Sequence, residues 1–272
     1  MLIDIHTHFF KERAAAKILA RLTACSGFIP CTDGTLADTW RLSREAGYDH
    51  ALALPIATKP SQQQQLNDFV ASVNHSCGGH ILCFGSVHPA AADLEEELRR
   101  IRELGLLGVK FHPQYQEVYI DDPRVERMIR LATELGLPLL FHAGDDPGLP
   151  PPLYAPPERI ARLLDRLEDL PEMRLIAAHL GGYRMWDEVE VHLLGRNLYF
   201  DTAFVFGLAE EEQIRRIIAR HGWQRILLGS DCPWQHPAEA LAGLKKLALP
   251  EEQFRAIAGE NAAALLGLAA GK

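Results

Sequence analysis

The strongest constraint on the fold is a pattern that recurs eight times along the chain: a short apolar, β-branched run, then a longer amphipathic, charged stretch. The runs lie at 3–8, 51–56, 81–87, 108–112, 137–142, 175–179, 198–202 and 226–231. Each is continuous rather than one-sided, as in strands buried on both faces. The stretches 61–76, 91–104, 123–135, 157–170, 188–194 and 210–221 read as helices, and 237–247 with 251–266 closes the chain. Their apolar residues fall at helical spacing, as Leu94, Leu98, Ile101 and Leu104 show. Gly105, Gly136 and Gly222 stand where C-caps belong, and Pro156-Pro157 suits a helix first turn. The region 11–47 is less regular, with helices expected over 11–25 and 39–46 around a loop at 27–34.

Strict alternation implies parallel pairing, because each helix carries the chain back across the sheet. Eight such units in roughly 250 residues predict an α/β fold of the (β/α)8 TIM-barrel type. A doubly wound open sheet is the alternative, and it calls for a glycine-rich phosphate turn after an early strand. The first run ends in His6-Thr7-His8 instead. No linker, low-complexity block or change of composition divides the chain, so residues 1–272 are read as one domain.

In a barrel the chemistry belongs at the C-terminal ends of the strands. The first run alternates, which predicts Ile3 and Ile5 on one face and Asp4, His6 and His8 on the other. Two imidazoles on one face of a strand suit two bonds to a metal ion, although polar residues at a strand end give the same pattern by chance. Asp4 is expected to point inward without a defined role. Other runs end in Lys110 and His112, in His142, in His179 and in Asp231, so polar residues close five of the eight on the same rim. Cys232, next to Asp231, alternates to the opposite face and reads as a buried thiol. The proline-rich loop 144–157 follows the fifth run and is expected to shape a pocket there.

Composition narrows the partners. The net charge is −8 without a basic block, which argues against nucleic acid and anionic membrane surfaces. No apolar run approaches the ~20 residues of a membrane span, and the start lacks the pattern of a signal peptide. Five cysteines without CxxC spacing fit free thiols in a reducing cytosol, hence a cytoplasmic protein. A small-molecule substrate is the expected partner, with homo-oligomerisation left open.

Together these residues resemble the amidohydrolase superfamily of metal-dependent barrels, and most closely its amidohydrolase-related branch of hydrolases and decarboxylases. The resemblance rests on the H-x-H of the first run, His142, His179 and Asp231. The runs Gly108-Val109-Lys110-Phe111-His112-Pro113, His179-Leu180-Gly181-Gly182, Gly229-Ser230-Asp231-Cys232-Pro233 and Gly259-Glu260-Asn261-Ala262 add to it. It implies that His6, His8, His142 and Asp231 bind a divalent metal, zinc by preference, for which imidazoles and a carboxylate are suitable ligands. Asp231 would also take the proton from the metal-bound water. His179, not itself a ligand, would orient that water or polarise the substrate carbonyl. In binuclear members a lysine at this place can be carboxylated and bridge two metals; here Lys110 is read as an unmodified amine that binds an anionic substrate group or the active-site network, with His112 contacting substrate. The implied activity is hydrolysis, with metal-bound hydroxide attacking an ester, lactone or amide carbonyl. Decarboxylation of an unsaturated or aromatic carboxylate, gripped by Lys110 or Arg184, is the alternative. A barrel that only binds a metal or ligand is a third and more remote reading.

Overall fold

The computed structural model describes residues 1–268. Among these residues nine strands run in parallel: β1 (Ile3–Thr7), β2 (His50–Ala53), β3 (Ile81–Cys83), β4 (Gly85–Ser86), β5 (Val109–Phe111), β6 (Leu139–Phe141), β7 (Leu175–Ala177), β8 (Tyr199–Asp201) and β9 (Ile226–Leu227). Their order follows the sequence, β1 to β3 in one ladder and β4 to β9 in the next. The expected third strand is thus split in two at Phe84. The segment bridges the ladders: Phe84 N donates to Ala53 O at 3.1 Å and Gly85 N to Gly108 O at 2.8 Å. Gly108 permits this junction, because a Cβ there would lie 2.6 Å from both the Phe84 ring and Pro138 O.

The last strand closes onto the first. Ile5 N donates to Leu228 O at 2.9 Å, Asp231 N to His6 O at 2.8 Å and His8 N to Cys232 O at 2.7 Å. The α/β TIM-barrel fold expected from the alternation is therefore the fold observed. Most expected helices are present with shifted ends; that predicted over 188–194 runs from Trp186 to His192. The helix Leu94–Glu103 shows why these segments are helical. It buries Leu94, Leu98 and Ile101, and it places Glu95, Glu96 and Glu97 in the first turn and Arg100 and Arg102 in the last, as the helix dipole favours. Among the described residues no helix is long and apolar enough to cross a membrane.

Two apolar clusters show which way the strand residues face. The larger gathers Ala51, Ala53, Val109, Phe111, Leu139 and Phe141 with the helices. The smaller gathers Ile3, Ile5, Leu52, Leu54, Leu140, Ile176 and Leu227 with Ala262 and Leu265 of the C-terminal helix, and it is the lower half of the barrel interior. Neighbours in register share a face. Lys110 pairs with Leu140, and Asp201 with Leu227, so both point inward.

β1 departs from the simple alternation. Asp4 pairs with Ala51 and Thr7 with Ala53, so three residues on β1 span two on β2 and the register shifts between them. This irregularity lets Ile5 and His6 both face the interior, with Thr7 outward and His8 inward again. Asp4 lies on the outer side with Ala51, contrary to expectation. It ties β1 to the last strand, accepting from Ser230 N at 2.9 Å and Ser230 Oγ at 2.5 Å.

Candidate metal centre

Above the apolar half of the barrel, β1 presents two imidazoles whose protons are already committed. His6 Nδ1–H donates to Asp201 Oδ2 at 2.8 Å, and His8 Nδ1–H donates to Leu54 O at 2.9 Å. Both Nε2 atoms therefore carry a bare lone pair, and they stand 3.2 Å apart. Asp231 Oδ1 joins them, 3.3 Å from His6 Nε2 and 3.2 Å from His8 Nε2. With both imidazoles neutral, three lone pairs converge and only Lys110 Nζ, 3.3 Å from His6 Nε2, offers one of them a proton, so a cation between them would relieve their repulsion. Two imidazoles and a carboxylate suit a divalent ion such as zinc, so the donor set fits a metal.

Local backbone conformation aims two of the site residues. Ala178 belongs to the interior cluster, so plain alternation would send His179 outward. Instead His179 (φ 59°) and Leu180 (φ 52°) adopt left-handed conformations that bring the imidazole back. Trp186 Nε1 donates to His179 O at 3.0 Å and Asp201 Oδ1 accepts from His179 N at 2.8 Å, which holds the turn. Asp231 (φ 67°) is likewise left-handed, after Ser230 has turned out towards Asp4. Such conformations cost of order 1 kcal/mol or more each in a non-glycine residue, and they persist where the surroundings enforce them.

A model of the amidohydrolase family matches residues 3–268. The chain belongs to the amidohydrolase family. No curated protein matches its sequence. Solved structures share its fold. An uncharacterised TIM-barrel protein from Bordetella bronchiseptica superposes with a TM-score of 0.77 at 20% identity, covering 98% of each chain. A dihydroxybenzoic acid decarboxylase from Polaromonas, with bound manganese and the inhibitor 2-nitroresorcinol, gives 0.72 at 18% identity over 98% of this chain and 97% of its own. A probable 2-pyrone-4,6-dicarboxylic acid hydrolase from Acinetobacter baumannii, with citric acid bound, gives 0.68 at 16% identity over 98% and 99%.

In this member of the family the expected site residues converge in two groups. His6, His8 and Asp231 form one. His142 stands beside it: its Nε2–H donates to Asp145 O at 2.9 Å, and its Nδ1 lies 3.1 Å from His179 Nε2. His179 Nδ1–H donates to Ala203 O at 2.8 Å, so this is a second pair of facing lone pairs. The His179 and His6 rings are 5.3 Å apart, which makes the two pairs neighbours within one polar chamber. Lys110 Nζ sits 3.3 Å from His6 Nε2, a cation of the chain's own at the edge of the trio.

His112, His142 and Asp146 also lie close enough to suggest a metal site. The ring planes argue against it. The His112 and His142 rings are stacked, with centroids 4.4 Å apart and planes 9° from parallel. In-plane lone pairs of parallel rings run side by side and do not meet at one ion. His112 Nδ1 accepts from Tyr115 N at 3.3 Å, which leaves Nε2–H to face Asp146 Oδ2 at 3.6 Å. The loop 144–157 thus reaches the chamber through its aspartates. Gly144 makes the crossing possible, since at φ 87° a Cβ would lie 2.3 Å from Tyr183 N.

Burial sets the charges. It pushes His142 down to about 4, with Lys110 adding to the shift. Burial and Lys110 also hold His6 well below the usual histidine range. Burial lowers Lys110 to about 8, against the pull of Asp201 and Asp231. Burial alone would raise Asp231, but His6 and His8 more than reverse this and keep its carboxyl well below the usual range. Neutral imidazoles and an ionised carboxylate at neutral pH are the forms that ligate a metal.

Two contributors were missed from sequence. Asp201 closes β8 and is fully buried; it lies within the expected strand run 198–202, which was given no site residue. Its only signal was its place on the same rim as the other strand-end residues. Asp146 sits in the loop after β6, where no periodicity marks which residue turns inward.

Proposed function

We propose that this chain is a metal-dependent hydrolase acting on an ester, lactone or amide carbonyl of a small molecule, with His6, His8, His142 and Asp231 as ligands of a divalent ion, zinc by preference. The observation that carries the reading is the convergence of His6 Nε2, His8 Nε2 and Asp231 Oδ1 within 3.3 Å of one another, with both Nδ1–H groups committed to other acceptors. When bound, such an ion supplies a Lewis acid and lowers the pKa of water to about 7. The chain's own residues supply the rest. Asp231, held ionised, accepts a proton at its carboxylate and passes it to the leaving group. His179, whose Nε2 lies 3.1 Å from His142 Nδ1, orients the attacking water by accepting from it at that nitrogen. Lys110 and His112 face the interior and bind the polar end of the substrate.

Decarboxylation of an unsaturated or aromatic carboxylate is the second reading. A buried ammonium at Lys110 favours it, because an anionic substrate group would find its countercharge there. The metal-loaded protein assayed on lactones, esters, amides and aromatic carboxylates, following acid release and carbon dioxide separately, decides between them. Hydrolytic product that disappears with chelation is expected. Carbon dioxide without hydrolysis would overturn the first reading, and turnover unaffected by metal removal would overturn both.

A further inference from the structure

Among the described residues two buried side-chain polar atoms have no hydrogen-bond partner, Tyr183 Oη and Gln235 Oε1. An unpaired buried hydroxyl is costly, and a chain that satisfies nearly all its other groups keeps one only where something else fills the need. Gln235 is anchored by its other end, Nε2 donating to Phe206 O at 2.8 Å. Tyr183 is the more informative, because its ring stands against that of His179.

Tyr183 follows the His179-Leu180-Gly181-Gly182 turn and is 2% exposed. Its backbone is clamped to the end of β6: Tyr183 N donates to Ala143 O at 2.9 Å, and Asp145 N donates to Tyr183 O at 3.0 Å. Its ring meets the His179 ring edge-on, centroids 5.8 Å apart, and lies within 20° of parallel to Phe204 at 5.8 Å. Phe204 in turn meets Phe28 edge-on at 4.9 Å. An aromatic wall of Phe28, Phe204 and Tyr183 thus adjoins the metal-side histidine, with a free hydroxyl in it. Burial raises the phenol, Arg184 opposes the rise and Asp145, Asp231 and Asp146 add to it, yet none of these groups is hydrogen-bonded to the hydroxyl. A buried phenol raised in this way keeps its proton, so the group on offer is a donor.

We infer that Tyr183 is a substrate-binding residue, whose hydroxyl donates a hydrogen bond to a carbonyl or carboxylate oxygen of a flat, conjugated substrate lying along Phe204. The inference rests on reading the chamber as the catalytic site, and not on which bond is broken there. Planar conjugated molecules match the aromatic wall by offset or edge-on contact, and an oxygen acceptor completes the hydroxyl.

The test is Tyr183→Phe, compared with the wild type as metal-loaded protein by elemental analysis, urea unfolding and calorimetric titration with benzoate and with benzamide. Expected are unchanged metal content, a urea midpoint equal to or above the wild type, and affinity for both probes lower by about tenfold. A higher midpoint with weaker binding is the signature of a hydroxyl kept for a ligand rather than for the fold. Probe affinity within about twofold of wild type overturns the inference, as does a fall in midpoint without a change in binding, which would assign the hydroxyl to a buried water. Wild-type protein that binds neither probe at about 10 mM overturns it as well. Wild-type protein that takes up no metal but still loses probe affinity in Tyr183→Phe would sink the metal-enzyme reading and leave Tyr183 standing.

Discussion

Asp201 and His6 are joined inside the barrel by a 2.8 Å hydrogen bond from His6 Nδ1–H to Asp201 Oδ2, and both side chains are out of reach of solvent. The bond decides what His6 can do. With its proton held on Nδ1, the lone pair of Nε2 points at His8 and Asp231. The other carboxylate oxygen accepts from His179 N and Ala203 N, so one aspartate orients residues on three strands' ends.

Asp201→Asn separates these tasks. The amide oxygen can still accept from the His179 and Ala203 N–H groups, so the fold survives. Its NH2 faces His6 Nδ1 and asks for the opposite tautomer, which places a proton on Nε2. Loss of such an outer partner typically costs 10–100-fold in metal affinity, and a drop of about that size is expected in competition with a chromogenic chelator. Unaltered affinity would remove His6 from the ligand set.

Lys110 bears on the number of ions. Its amine is fully buried and close to His6 Nε2, and burial lowers it to about 8 without neutralising it at pH 7. A charged amine there repels a second divalent ion. One metal per chain by elemental analysis is expected, with an unmodified lysine in the native mass. Two ions per chain, falling to one in Lys110→Met, would show a carboxylated lysine bridging them.

Eight apolar runs and the rim they end on were legible because buried parallel strands and strand-end chemistry leave a long-range pattern. His8, Lys110, His112, His142, His179 and Asp231 all stand on that rim. The register shift in β1 left no such trace. One extra residue between Asp4 and Thr7 reverses the face of Asp4 without changing any residue type. The left-handed turns at His179 and Asp231 were equally silent, since they are set by packing rather than by glycine at those positions. Asp201 lay inside the expected run 198–202 and drew no role, because the sequence does not say that β8 ends facing His6.

Asp4 offers a test of that register. It accepts from His6 N at 3.1 Å as well as from Ser230, and burial pushes its carboxyl up to about 7. Asp4→Ala strands two buried N–H donors and should destabilise by about 2–4 kcal/mol. Asp4→Asn keeps the acceptor and can donate to Ser230 Oγ, so its cost should stay below about 1 kcal/mol. Urea unfolding of the two variants measures the difference, and equal costs would show that Asp4 does not join β1 to the last strand.

His221 sets part of the acid limit of the fold. Its ring stacks on Phe200 with centroids 4.0 Å apart, Nε2–H donates to Leu198 O at 2.7 Å, and Nδ1 accepts from Gly195 N at 3.3 Å. A second proton would set Nδ1–H against Gly195 N–H, and burial already lowers the group from 6.5 to about 4. The unfolded chain therefore binds a proton between those values that the folded chain refuses. The stability this contributes is complete above 6.5 and is lost as the pH falls towards 4, by at most about 3 kcal/mol. His221→Gln can keep both hydrogen bonds without titrating, though it gives up the stacking. It should be less stable than wild type by about 1–2 kcal/mol near pH 7.5, with the gap closing or reversing near pH 4.5. The other buried histidines respond alike in both proteins and cancel from that difference. Unfolding free energies that stay parallel across the range would mean that His221 is charged in the folded chain or reached by water.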